Sequence, residues 1–203
     1  MAAGTLRHVL KVFVDANVLY SRTLRDWLFT LRLQGDGMFS LTSSEDVLAE
    51  TIRNLRRDNP TWPGGRITRL RASFDEFLDD VVEEYFPAEL PYPFADPHDR
   101  HVHAAAVACE ADFLLTTDGG FSRPDPAQAD TLPYEVHHPD ELFVLIDDSA
   151  GHMVRAVTDE QRRYWEHRKR TEPLSVALVN AGCPEFATRV TGHLRALSGI
   201  AAS

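Results

Sequence analysis

The chain opens with short apolar runs that alternate with amphipathic stretches. Residues 11–15 are mostly β-branched or aromatic and stop at a polar Asp-Ala-Asn turn, which predicts a buried parallel strand that ends at Asp15. Ser21 offers a helix N-cap, and apolar residues then recur at helical spacing until Gly35. A second apolar stretch over 38–42 is followed by a second helix that reaches about Arg57.

The same alternation continues to about residue 147, and beyond it the pattern is only helical. Because the strands alternate with helices, the sequence predicts an α/β fold with a central parallel sheet flanked by helices. We expect two parts, an α/β domain over 1–147 and an all-helical extension over 148–203. The remaining predicted elements are helices over 66–80, 99–109, 139–147, 150–170, 173–181 and 184–198, strands over 111–117 and 134–137, a candidate strand over 81–86, and loops over 87–97 and 122–133.

Length and composition indicate a soluble protein with a core of its own. A chain of 203 residues is long enough for one α/β domain of ordinary size and an appendage. Its two cysteines, Cys109 and Cys183, have no metal-type spacing and suit a reducing compartment. The sequence shows no signal peptide and no continuous apolar run of about 18 residues. We therefore expect a cytoplasmic protein without membrane contact.

The charge is unevenly distributed along the chain. Residues 1–149 contain 13 Lys and Arg against 26 Asp and Glu, whereas residues 150–203 contain 8 against 5. Since phosphate contacts made by Lys and Arg supply most of the affinity for nucleic acid, an acidic protein of net charge −10 needs local basic clusters to hold such a ligand. The sequence offers two candidate clusters. The first is Arg53, Arg56 and Arg57 on the helix that carries Glu50, and the second is Arg162, Arg163, Arg168, Lys169 and Arg170, with Tyr164, Trp165 and His167 among them.

Four acidic residues lie at points where function is expected in such a fold. Asp15 and Asp118 each follow an apolar strand, Glu50 lies on the polar face of a helix, and Asp99 opens a helix whose cap is better supplied by Asp96 before Pro97. Two carboxylates about 5 Å apart repel by about 3 kcal/mol at an effective dielectric constant near 20. Converged carboxylates therefore favour a divalent cation with oxygen ligands, such as Mg²⁺ or Mn²⁺.

Four segments around these residues carry a family resemblance. They are Val12-Phe-Val-Asp15-Ala-Asn17-Val-Leu19, residues 47–51 around Glu50, residues 96–105, and residues 111–121, which end in Thr-Thr-Asp-Gly-Gly-Phe. In this order they resemble the PIN-domain family, which includes the ribonuclease toxins of VapBC toxin–antitoxin systems. The resemblance covers about residues 9–147, and the helical extension is similar to those of some larger PIN-domain toxins.

The resemblance implies a PIN-like three-layer fold and a metal-dependent endoribonuclease, the toxin of a VapBC-like pair. Its expected partners are an RNA substrate, a cognate antitoxin and a second copy of the chain. It further implies that the metal ligands and catalytic residues are Asp15, Glu50, Asp99 and Asp118, with Asn17 and Thr116 as supporting polar residues.

Other interpretations start from the histidines and from Asp15. Of His98, His101 and His103, only His103 is expected to share a helical face with Asp99, so a closed zinc site is disfavoured and His103 is a candidate support or substrate contact. A non-catalytic PIN fold that only binds RNA or a partner is a second alternative. A phosphatase with Asp15 as nucleophile is a third, although Asn17 stands where its general acid is expected.

Overall fold

The computed structural model describes residues 9–94, 96–122 and 130–201. Five parallel strands form one sheet in the order β3-β2-β1-β4-β5, so that β1 is central and β5 lies at an edge. The predicted α/β fold with a parallel sheet, flanking helices and a helical extension is confirmed. The strands are β1 (Leu10–Val14), β2 (Phe39–Ser44), β3 (Asp80–Val82), β4 (Phe113–Leu115) and β5 (Glu135–His137).

Helices cover the sheet, and the described residues from Pro139 onward form only helices and the short segments that join them. The helices before the extension are α1 (Ala16–Tyr20), α2 (Arg22–Gln34), α3 (Glu45–Asp58), α4 (Gly64–Phe77), a 3₁₀ turn (Pro97–Asp99), α5 (Arg100–Ala108) and α6 (Gly119–Ser122). They are followed by α7 (Pro139–His167), α8 (Leu174–Asn180) and α9 (Pro184–Ala201). No helix in the described ranges is long and apolar enough to cross a membrane.

The elements differ from the sequence prediction in several places. Helix α1 was not predicted. Helix α4 was predicted over 66–80 but runs from Gly64 to Phe77. It ends early because Leu78 is already extended and the N–H of Asp79 donates to the carbonyl of Leu41 on β2. Helix α7 runs across the predicted boundary at 147/148, with a break at Ala150, whose backbone is non-helical. Most of the predicted loop over 122–133 lies outside the described residues.

Side-chain caps begin several of the helices, and two of these helices, α1 and α3, start directly after strands. The side chain of Ser21 accepts a hydrogen bond from the N–H of Leu24 at the start of α2, and Ser44 does the same for α3 immediately after β2. Asp15 accepts from the N–H of Ala16 and so caps α1 at the end of β1. The carboxyl edge of the sheet is therefore surrounded by polar side chains that begin helices.

One hydrophobic core joins the sheet to the extension. Trp27 on α2 is almost fully buried and makes an edge-to-face contact with Phe186 of α9, with ring centroids 5.0 Å apart. Phe186 also contacts Phe143 on α7, at 5.1 Å. The carboxylate of Asp140 accepts hydrogen bonds from the backbone N–H groups of Glu185 (3.1 Å) and Phe186 (2.8 Å), which caps α9 from a neighbouring helix. The extension is thus packed onto the α/β part through shared core residues.

Candidate functional site

The four acidic residues singled out from the sequence line a single cavity of about 340 Å³. It lies at the carboxyl edge of the sheet, where β1 delivers Asp15 and the segment after β4 delivers Asp118. Glu50 enters from α3, and Asp99 from the 3₁₀ turn that precedes α5. Carboxylates distant in sequence are thereby brought to one concave site.

Asp15 is the most firmly held of the four. Its side chain accepts hydrogen bonds from the N–H of Ala16 (2.6 Å), from the side-chain amide of Asn17 (2.7 Å) and from the hydroxyl of Thr116 (2.7 Å). The residue is only 7% exposed, and burial raises the pKa of its carboxyl, with a smaller contribution from the charge of Glu50. Donors fix the orientation of this carboxylate, while its burial disfavours the charge.

Asn17 and Thr116, the predicted supporting residues, join the ends of β1 and β4. The Asn17 amide donates to the Thr116 hydroxyl (2.9 Å) as well as to Asp15, and the Asn17 carbonyl accepts from the N–H of Thr117 (2.9 Å). The Thr116 hydroxyl also accepts from the N–H of Asp118 (3.0 Å). One polar network therefore sets both the Asp15 side chain and the backbone that presents Asp118.

Asp99 is free to face the cavity because Asp96 performs the capping. The Asp96 carboxylate accepts from the N–H of His98 (2.9 Å), whereas Asp99 makes no capping hydrogen bond to α5. Burial raises the pKa of Asp99 to about 6, and the negative charges of Asp15 and Asp118 add to the shift. Like charges therefore act on one another across this cavity.

Glu50 faces a second hollow of about 620 Å³ that adjoins the first. Its carboxylate lies 3.5 Å from the Asn54 amide, 3.8 Å from the guanidinium of Arg53 and 3.6 Å from Nε2 of His101. Arg53 is largely exposed and also lines this hollow, together with His98. The acidic cavity thus opens beside one of the predicted RNA contacts.

Several cavity residues were not identified from the sequence. Tyr20 lies on the unpredicted α1, and its hydroxyl donates to Asp58 (2.9 Å). Asp58 in turn accepts two hydrogen bonds from Arg57 (2.8 and 3.3 Å). Arg57, a predicted RNA contact, therefore lines the cavity, but its charge is paired with that of Asp58. Asn54 could have been found, since it stands one helical turn after Glu50.

The structure places His103 away from the acidic cavity and so corrects that prediction. His103 is buried, its Nδ1 lies 2.7 Å from the hydroxyl of Tyr134, and its ring contacts the edges of Tyr92 and Phe94. The prediction placed Asp99 and His103 on one face of a continuous α-helix. Asp99 instead ends a 3₁₀ turn, which has fewer residues per turn than an α-helix, so the two side chains do not share a face. Burial also lowers the pKa of His103, consistent with a neutral packing residue.

Arg162 and Arg163 also lie outside the acidic cavity, on α7. Arg162 pairs with Asp159 (2.6 Å) and Glu166 (2.8 Å), and Arg163 pairs with Asp159. Their charges are neutralised within their own helix. This pairing does not favour the prediction that these two arginines bind RNA.

The donor set of the cavity suits a hard divalent cation. All four candidate ligands offer carboxylate oxygens, the type that Mg²⁺ and Mn²⁺ prefer. Burial raises the pKa of Asp15 and of Asp99, neighbouring carboxylates add to both shifts, and a bound cation would favour the ionised form of each. Over the described ranges, however, no three acidic, histidine or cysteine side chains stand in an arrangement that would hold an ion as they are. The residues fit such an ion in chemistry and location, but ligation requires side chains to turn.

Comparison with known proteins adds one finding. A family model described as "PIN domain" matches residues 11–119, more than half of the chain, while searches of curated proteins and of solved structures gave no match. The matched segment runs from β1 past Asp118 and contains all four cavity carboxylates. The chain therefore belongs to the PIN-domain family and has its nuclease-like fold.

Proposed function

We propose that the protein is a Mg²⁺- or Mn²⁺-dependent endoribonuclease that hydrolyses RNA phosphodiester bonds. The observation that carries the proposal is the meeting of Asp15, Glu50, Asp99 and Asp118 in one cavity at the carboxyl edge of the sheet. Ligand sites of open α/β sheets lie at this edge. Family membership supports nuclease chemistry in general, and the choice of RNA follows the resemblance of the four motifs to ribonucleases.

Each residue of the cavity has a defined task in this proposal. Asp15 and Asp99 would be the central metal ligands, with Glu50 and Asp118 completing the set. When bound, the cation would activate water and neutralise charge on the phosphoryl group. Asn17 and Thr116 hold the Asp15 carboxylate in one orientation, and Arg53 is placed to contact a substrate phosphate near Glu50.

Cleavage of end-labelled single-stranded RNA by the purified protein tests the proposal. We expect products with Mg²⁺ or Mn²⁺, none with chelator, and a loss of at least about a hundredfold in Asp15→Asn. Asp79→Asn is a matched control, because Asp79 also accepts hydrogen bonds, from Arg32 and the backbone of Leu41, but lies outside the cavity. Full activity of Asp15→Asn would overturn the assignment, and equal cleavage of DNA would overturn the RNA preference.

The proposal extends to a toxin that acts on cytoplasmic RNA, pairs with an antitoxin and forms a homodimer. Its support is the resemblance of the motifs to VapBC toxins. Expression of the wild type should arrest growth, whereas expression of Asp15→Asn should not. A neighbouring open reading frame for a small protein, basic and then amphipathic, should relieve the arrest. Growth arrest by Asp15→Asn as well as by the wild type would contradict the toxin assignment. Sedimentation at several protein concentrations tests for the homodimer.

A non-catalytic binding protein is the second candidate. It is favoured by the absence, among the described side chains, of a ready three-ligand arrangement. Isothermal titration with Mg²⁺ and Mn²⁺ separates the two candidates. Binding that disappears in Asp99→Asn supports the nuclease, and no detectable binding to the wild type supports the non-catalytic protein.

A further inference from the structure

The carboxyl end of α7 presents three consecutive cations that the acidic cavity does not use. Arg168, Lys169 and Arg170 are all exposed, and within the described part of the chain none of them forms an ion pair. Arg162 and Arg163, one to two turns earlier, are neutralised by Asp159 and Glu166. The three consecutive cations at the end of α7 therefore form a local cluster of unneutralised positive charge.

The backbone at this end is fixed by a defined helix termination. The N–H of Lys169 bonds the carbonyl of Glu166 (2.9 Å), and the N–H of Arg170 bonds that of Trp165 (3.2 Å). Lys169 has φ 49°, in the left-handed region where glycine is usual. A lysine thus occupies a position at which glycine would terminate the helix with less strain.

Aromatic side chains lie among these cations. The guanidinium of Arg168 lies 5.3 Å from the ring centroid of Tyr164, and that of Arg170 lies 4.7 Å from the ring of Trp165. Trp165 is buried and its indole N–H donates to the carbonyl of Glu172 (2.6 Å), so it anchors the end of the helix. Tyr164 is only partly buried and leaves aromatic surface near the charges.

A hydrogen bond connects this surface to the rim of the acidic cavity. Arg22 at the start of α2 donates to the hydroxyl of Tyr164 (2.7 Å), and its other contact is an ion pair with Asp26 (3.3 Å). Arg22 is only two residues beyond Tyr20, a cavity residue that is 36% exposed. Their Cα atoms are therefore at most about 7 Å apart. Arg22 therefore contacts the end of α7 and is close in sequence to a residue that lines the acidic cavity.

We propose that Arg22, Tyr164, Arg168, Lys169 and Arg170, here called the α7 ridge, bind the single-stranded RNA that flanks the scissile bond. The inference rests on the proposed ribonuclease function and gives the extension a role in holding substrate. Exposed cations beside the ring of the partly exposed Tyr164 match the phosphates and bases of a single strand. Because the whole chain is acidic, a local ridge is needed to offset repulsion of the substrate.

RNA binding by catalytically inactive protein tests the ridge. In an Asp15→Asn background, the ridge variant Arg168→Gln/Lys169→Asn/Arg170→Gln removes three charges, and asparagine tolerates the left-handed backbone. Fluorescence anisotropy should show at least tenfold weaker binding of an oligonucleotide of about 12 nucleotides and little change for one of about 4, which fills only the cavity. The slope of log affinity against log salt should fall by about 2, as expected for three lost phosphate contacts.

A matched control removes the same charge elsewhere. The variant Arg69→Gln/Arg155→Gln/Arg195→Gln takes three exposed arginines from α4, α7 and α9, and should leave the affinity for the long oligonucleotide within about twofold. Arg155 lies about 20 Å along the helix from Arg168. If both variants weaken binding of the long oligonucleotide equally, or if the ridge variant does not weaken it, the α7 ridge does not bind RNA, even if the wild type cleaves RNA. Failure of the wild type to cleave RNA would instead overturn the proposed function, and the anisotropy measurements would still show whether the α7 ridge binds RNA.

Discussion

Replacing Asp99 with asparagine is expected to stabilise the metal-free protein while removing its activity. In the folded protein, burial and the charges of Asp15 and Asp118 raise the pKa of Asp99 from 3.8 to about 6. At neutral pH the ionised carboxylate is therefore less favourable in the folded than in the unfolded chain. Asparagine removes this charge, and because the Asp99 side chain caps no helix, the substitution loses no capping hydrogen bond.

The size of the effect follows from the shift. About two pKa units correspond to about 3 kcal/mol, and since Asp99 is only half-buried, solvent screening reduces the expected gain to about 1–2 kcal/mol. For a protein of this size the melting temperature should rise by about 2–8 °C in chelator at pH 7.5. Magnesium should reverse the order, because a ligand present at a hundred times its Kd stabilises the wild type by about 2.7 kcal/mol and the variant by less.

Thermal denaturation of both proteins, with chelator and with Mg²⁺, measures these differences. Asp96→Asn is the control, since an asparagine oxygen can still accept from the N–H of His98 and the charge of Asp96 affects Asp99 less than those of Asp15 and Asp118 do. Its melting temperature should change little. A less stable Asp99→Asn in chelator, or identical responses of the two proteins to Mg²⁺, would refute the idea that burial and neighbouring charges make an ionised Asp99 unfavourable in the metal-free protein.

Three further predictions follow from the same contacts. Burial raises the pKa of Asp99 to about 6, so this carboxyl binds more protons in the folded than in the unfolded chain between pH 4 and 6, and its contribution to stability is lost as pH rises through this range. The urea midpoint of metal-free Asp99→Asn should therefore rise relative to that of the wild type from pH 4 to pH 6, and a constant difference would contradict this. Thr116→Val removes the hydroxyl that donates to Asp15 and should lower cleavage by about tenfold or more with an unchanged circular dichroism spectrum, whereas wild-type rates would exclude a positioning role. Asp140→Ala removes the cap of α9 and should lower the free energy of unfolding by about 2 kcal/mol in urea titrations, and a change below about 0.5 kcal/mol would show that the cap is dispensable.

The parts of the fold that the sequence predicted well are those with local signals. The strand before Asp15 and the helix after Ser44 combine an apolar pattern with an adjacent cap, and both appear within a few residues of the expected bounds. Helix α1 has only five residues, too few for a periodic pattern. It depends instead on tertiary contacts, such as the bond from the Thr51 hydroxyl to the carbonyl of Ala16 (3.4 Å), so Tyr20 could not be placed beside the cavity in advance.

The site shows the same division between local and non-local information. The convergence of the four carboxylates could be predicted because parallel strands end at a common edge. His103 was misplaced because a continuous helix from Asp99 was assumed, and the sequence did not reveal the 3₁₀ turn. The pairing of Arg162 with Glu166 follows from i,i+4 spacing and could have been anticipated.

The packing of the extension indicates that the α/β part and the carboxyl-terminal helices fold together. Helix α7 crosses the predicted boundary at 147/148, and Phe186 fills space against Trp27, so removal of residues 148–203 would expose a large aromatic side chain of the core. The hydrogen bond from Gln161 to the hydroxyl of Thr30 (2.9 Å) adds a polar contact between α7 and α2. Since α2 begins two residues after Tyr20, the contacts that secure α7 to α2 also fix the α7 ridge relative to the acidic cavity. A basic surface tethered by a flexible linker would raise only the local concentration of RNA, whereas one held on a shared core can also set the path of the strand into the cavity.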